Sequence, residues 1–154
     1  MSGIRETLIG SWELLSFEVE SDAGVAHPYG ESGRGRIVYT ASGHMSAVLS
    51  RSDRPALSAG SLEAARGAEA TDKARAFDDY LSYSGRWRLE ERGDELWVHH
   101  TVDLALVPEV VGTTLERRAR FEDDVLVLDY ENRSRSGRQR RFVLRWKKEK
   151  DDSP

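Results

Sequence analysis

The chain has 154 residues, 38% of them hydrophobic and 32% charged, a balance that suits one soluble globular domain with a modest core. Its 27 acidic and 23 basic side chains leave a formal charge of −4, which gives no general pull toward nucleic acid or an anionic membrane, and neither is expected as a partner. There is no cysteine for a disulfide or a thiolate metal site, and neither an apolar leader nor a run of about 18 apolar residues, so a cytoplasmic protein is expected.

In chain order, residues 1–8 have room for a short helical turn. Leu8 to Glu20 opens on Gly10-Ser11-Trp12 and continues as strand, with Trp12 placed to plug one end of a β-barrel. Ser21 to Gly35, rich in Gly, Ser, Asp and Pro around His27-Pro28-Tyr29-Gly30, reads as a long loop. Arg36–Thr40 and His44–Ser50 read as strands joined by Ala41-Ser42-Gly43, whose last residue fits the left-handed position of a bulged hairpin. Residues 51–70 break the pattern. Thr71 then resembles an N-cap, and Ala74, Phe77, Tyr80 and Leu81 recur at helical spacing. They predict one inserted helix over about 72–82, covering a mouth of the barrel with Phe77 and Tyr80 facing the protein.

Five more strands follow, at Gly85–Glu91, Glu95–Asp103, Gly112–Glu122, Val125–Glu131 and Arg138–Lys147. Turns at Arg92-Gly93-Asp94, Asp123-Asp124 and Arg135-Ser136-Gly137 separate the paired ones. The expectation is an all-β, eight-stranded, antiparallel up-and-down barrel over residues 1–147, followed by a disordered charged tail at 148–154. Closure removes the edges that such a sheet would expose. The basic run Arg133 to Arg141, five arginines in nine residues, reads first as a solvated hairpin and second as a local anion or partner contact.

Loop lengths set which residues oppose each other. Across Asp123-Asp124, Phe121 opposes Leu126, Ala119 opposes Leu128 and Arg117 opposes Tyr130, while Arg118 and Asp129 make an opposite-charge pair on the outer face. Across the last loop, Tyr130, Leu128 and Leu126 oppose Phe142, Leu144 and Trp146. A two- or four-residue turn at Gly93 places Trp87 and Leu89 with Leu96, Val98 and His100; a three-residue turn selects Trp97 and His99 instead. The first gives the more apolar face, so one of His99 and His100 points inward and the other outward.

These registers collect Trp12, Trp87 and other large apolar side chains inside, with Tyr39, His100, Arg117 and Tyr130 as polar candidates among them. Polar groups converging in an apolar interior suit a ligand pocket. The competing reading makes Arg117 and Tyr130 a structural pair near the barrel end. Trp12, Tyr39, Tyr80, Trp87, Arg117 and Tyr130 are thus candidate ligand-binding residues, and His100 is the candidate acid or base, since imidazole titrates near neutrality. No phosphate-binding loop, dinucleotide fingerprint, nucleophile elbow or metal-spaced histidine set occurs, so neither a metal nor a cofactor is expected.

Gly10-Ser11-Trp12, Pro28-Tyr29-Gly30, Tyr39-Thr40 with Gly43-His44-Met45-Ser46, Arg51 with Asp53-Arg54-Pro55, Phe77-Asp78 with Tyr80, Tyr83-Ser84-Gly85, His99-His100 and Gly112 together carry a resemblance. The chain resembles the bacterial and fungal lipocalin-like domain family, small relatives of the calycins, from about Thr7 to Trp146. The resemblance implies an eight-stranded barrel with a helical insertion near one mouth, and it leaves chemistry open. Two functions stand side by side: a module binding a small, largely apolar molecule with an acidic or carbonyl end, or a cofactor-independent isomerase or cyclase of a biosynthetic pathway using the same pocket. Whether it is an enzyme stays open.

Overall fold

The computed structural model describes residues 2–152. A short helix, α1 (Ser2–Leu8), leads into β1 (Gly10–Ser21), β2 (Gly24–Ala26), β3 (Arg34–Tyr39) and β4 (His44–Ser50). After an irregular stretch come α2 (Ala70–Asp78), β5 (Tyr80–Arg92), β6 (Glu95–Ala105), β7 (Thr114–Glu122), β8 (Val125–Arg133) and β9 (Gln139–Lys148). Each strand from β3 onward pairs antiparallel with the next, and β9 returns to β1, which closes an eight-stranded barrel. β2 is an extra strand: it pairs with Val19–Ser21, the part of β1 that lies beyond the reach of β3.

Alternation explains the core. Trp12, Leu14, Ile37, Tyr39, Met45, Ala47, Leu49, Trp87, Val98, Leu126, Leu128 and Trp146 come from alternate positions and are all buried. The hairpin registers agree with those read from loop length: Leu89 pairs with Val98, Phe121 with Leu126 and Tyr130 with Phe142. In the β3–β4 hairpin, Tyr39 pairs with Met45. The turn at Gly93 is the two-residue kind, because Arg92 pairs with Glu95. Gly43 and Gly137 take φ of 89° and 81°, a region that costs glycine nothing, and so let their hairpins close. The barrel has one sealed end. There α1 lays Leu8 and Ile4 against the core, and the Trp12 indole N–H donates to the Leu8 carbonyl at 3.0 Å.

Three expectations are corrected. The Ser21–Gly35 loop contains β2. The helix runs over Ala70–Asp78 rather than 72–82, with Glu69 rather than Thr71 at its N-cap position. Tyr80 and Leu81 are drawn into β5 by pairing with Ser50 and Leu49, so these neighbours point to opposite faces of a strand instead of sharing one face of a helix. Phe77 is therefore 45% exposed, and α2 buries none of its residues. The ordered chain also extends past 147: β9 includes Lys148, and Glu149 donates its backbone N–H to the Ser11 carbonyl and pairs with Arg36 at 2.8 Å.

Candidate functional site

The mouth opposite α1 opens into a cavity of about 880 Å³. Leu81 and Tyr83 of β5, Leu115 and Arg117 of β7 and Tyr130 of β8 form its inner wall, and Val107 and Val110 hang over it from the β6–β7 connection. Beside it an aromatic row runs around the rim. Tyr130 stacks on Phe142 with centroids 4.6 Å apart and planes 5° from parallel, Phe142 meets Phe17 at 6.3 Å, and Phe17 stacks on Tyr29 at 5.8 Å.

The cavity reaches the outside through the barrel wall. β7 and β8 pair from Glu122–Val125 up to Arg118–Asp129 and then part, although β7 stays on β6 as far as Thr114 and β8 stays on β9 as far as Arg133. Continued by two residues, the ladder would set Glu116 against Glu131 on the outer face, a destabilising like-charge pair. The gap leaves a slit, so outward-facing Trp97, Glu116 and Glu131 also border the cavity.

Arg117 stands at this slit on the inner side, its Cζ 3.7 Å from the centroid of the Tyr130 ring. One guanidinium nitrogen donates to the Glu116 carbonyl at 3.0 Å, and among the described residues no carboxylate pairs with it. Asp129, one residue before Tyr130 on β8, shows the contrast. It lies on the outer face, 1% exposed, with Arg118, Arg120 and Arg141 all on its carboxylate. The expected Arg118–Asp129 pair is real, but the guanidinium groups bury the carboxylate.

Behind the cavity wall lies a hydrogen-bonded chain. The Tyr39 hydroxyl is 2.8 Å from His100 Nε2, and the Tyr83 hydroxyl is 3.0 Å from His100 Nδ1. Burial, then Arg117, then His99 push the His100 pKa down to about 3, so the ring is neutral at physiological pH. Burial raises Tyr39, Tyr83 and Tyr130 above the usual phenol value, and the Arg117 charge opposes that rise in all three. One guanidinium thus acts on every titratable ring around the cavity.

The predicted site residues separate into layers. Arg117 and Tyr130 line the cavity. Tyr39, Trp87 and His100 lie one layer deeper, Tyr39 meeting Trp87 at 4.9 Å and His100 at 5.6 Å between centroids. Trp12 is at the sealed end, 6.4 Å from Phe121, and Tyr80 is on the outside of the barrel beneath Arg54. His100 is the inward member of its pair, while His99 points outward and is covered by Glu90 at 2.5 Å and Glu116 at 3.5 Å. With both nitrogens engaged by tyrosines, His100 has no free position for a substrate proton. Sequence reasoning missed Tyr83. The signal was present, since Tyr83 shares the parity of Trp87 and extending that register by four residues puts it on the inner face.

Among the described residues no three histidine, aspartate or glutamate side chains converge as a metal site would require, and no helix is long and apolar enough to cross a membrane. A family model described as a lipocalin-like domain matches residues 9–149, from just before β1 to just after β9. Comparison with curated proteins and with solved structures found no match.

Proposed function

Because the chain belongs to the lipocalin-like domain family, we propose that its barrel takes up a small, largely apolar molecule and holds the acidic or carbonyl end of that molecule with Arg117. The observation that supports this is the Arg117 guanidinium: it borders a cavity of about 880 Å³, lies over the Tyr130 ring, and has no carboxylate partner among the described residues. A half-buried cation at an apolar cavity, left without a carboxylate partner, favours an anionic or strongly dipolar guest. The apolar walls supply most of the affinity and the charge sets the orientation.

A matched pair of fluorescent probes tests this reading: anilinonaphthalene sulfonate and phenylnaphthylamine, its counterpart without the sulfonate. Arg117→Ala should weaken the sulfonate by about tenfold or more, the range of a hydrogen bond to a charged group, and barely change the neutral dye. Equal weakening of both dyes makes Arg117 a structural residue and removes the proposal. The isomerase or cyclase reading draws on the Tyr83–His100 hydrogen bond at 3.0 Å, which sets a hydroxyl donor on the cavity wall. A bound ligand recovered unchanged marks a binder; recovery of an isomer of the same mass marks an enzyme.

A further inference from the structure

We propose that His100 is locked as its Nδ1–H tautomer and thereby makes the Tyr83 hydroxyl a second ligand-binding donor, so that the cavity selects an acidic phenol or enol as its anion. This rests on the reading that Arg117 holds an anionic guest. The tautomer follows from hydrogen-bond accounting. Tyr39 is 1% exposed, and His100 Nε2 is the only partner of its hydroxyl among the described residues. A proton on Nε2 would face the Tyr39 oxygen and leave the Tyr39 O–H buried without an acceptor. Placed on Nδ1, the proton is donated to the Tyr83 oxygen, and Tyr39 donates to Nε2; both contacts, at 3.0 Å and 2.8 Å, are then satisfied.

The consequence falls on Tyr83. Its oxygen already accepts from the imidazole, so its own proton must go elsewhere, and the cavity is the space Tyr83 borders. Accepting a hydrogen bond also strengthens a hydroxyl as a donor. A phenolate or enolate oxygen has lone pairs for this O–H and for an Arg117 N–H together, and its flat conjugated frame suits walls made by Leu81, Leu115 and Tyr130. The guest loses its own proton to solvent, because His100 has no free nitrogen to accept it.

Nitrogen NMR of the wild-type protein reads the tautomer directly. His100 should show a protonated Nδ1 and a bare Nε2; the reverse pattern, or rapid averaging, overturns the proposal. Absorbance titration of bound para-nitrophenol reads the donor. The bound phenol should ionise at lower pH than the free one, and Tyr83→Phe should raise its pKa by about one unit, a tenfold loss of preference for the anion. His100→Phe should have the same effect, the double variant no larger one, and His100→Gln, which keeps a donor and an acceptor, a smaller one. Additive effects, or an unmoved bound pKa in Tyr83→Phe, overturn the inference even while Arg117 still discriminates between the two dyes. If neither the sulfonate dye nor nitrophenol binds the wild type, the underlying reading fails with it. Should His100→Phe not fold, the wild-type tautomer and Tyr83→Phe decide.

Discussion

At the scale of single residues, His100 sets a pH response. A histidine in an unfolded chain titrates near 6.5, and in the barrel this one is pushed down to about 3. Between those values the unfolded chain binds the extra proton, so stability declines as pH falls through that window. By pH 5 the loss from this side chain reaches about 2 kcal/mol, before most carboxylates begin to titrate. Urea unfolding at pH 7.5 and pH 5 should show that loss in the wild type and its absence in His100→Phe; equal losses in both would assign the acid sensitivity elsewhere. Asp129 is the second decisive residue. Its carboxylate is shared by Arg118, Arg120 and Arg141, so Asp129→Ala leaves three guanidinium groups packed together without their common anion. A cost of about 3 kcal/mol is expected in urea unfolding. Arg118→Ala should cost much less, because two partners remain on the carboxylate.

At the scale of elements, the β5–β6 pair carries the deeper layer of the site. Its register shifts between Ser84 and Gly85, and at that point the strands come so close that a Cβ on Gly85 would lie 1.9 Å from the Thr101 carbonyl oxygen. Gly85→Ala must push the strands apart two residues from Tyr83. It should destabilise the protein by about 2 kcal/mol or more and weaken the Tyr83–His100 contact, detectable as a change at the His100 ring nitrogens. Survival of both stability and the tautomer would mean that the bulge can relax. The slit between β7 and β8 makes a separate prediction. Above Arg118 and Asp129 the facing backbone groups of the two strands lack each other as partners. Amide hydrogen exchange should therefore be faster at those positions in 114–117 and 130–133 than in the ladder below, and ligand binding should slow it. Uniform protection along both strands would show that the slit is closed in solution.

At the scale of the whole molecule, the β1–β9 pairing makes stability collective. It joins the first strand to the last, from Trp12–Lys148 to Glu20–Arg141. Opening it would expose two strand edges and the core behind them. α2 lies outside this cooperative unit, because none of its residues is buried. Phe77→Ala should thus change unfolding free energy by less than about 0.5 kcal/mol, whereas Leu126→Ala, in a side chain with no exposure, should cost about 3 kcal/mol. A comparable cost at Phe77 would mean that α2 packs on the mouth after all.

What the sequence determined by itself was whatever has a short period or a short loop. Alternation with period two identifies the inner face of each strand, and a two- or three-residue turn transmits that choice to the next strand. This is why Leu89, Leu126 and Leu128 could be placed from the sequence. The same logic brought Arg117 and Tyr130 to the inside and His100 to the inner face, and it would have reached Tyr83. It failed at Tyr80 and Leu81, which continue the helical spacing of Ala74 and Phe77 although pairing with β4 draws them into a strand. Only the tertiary structure decided which inward residues face open space and which lie behind them. Tyr39 and His100 share the inner face with Arg117, yet depth inside a barrel depends on where the strands part and where the ends are plugged. Those features arise from relations between residues far apart in sequence: Trp12 pairs with the end of β9, Tyr39 meets a histidine 61 positions away, and the β7–β8 ladder stops before Glu116 would face Glu131.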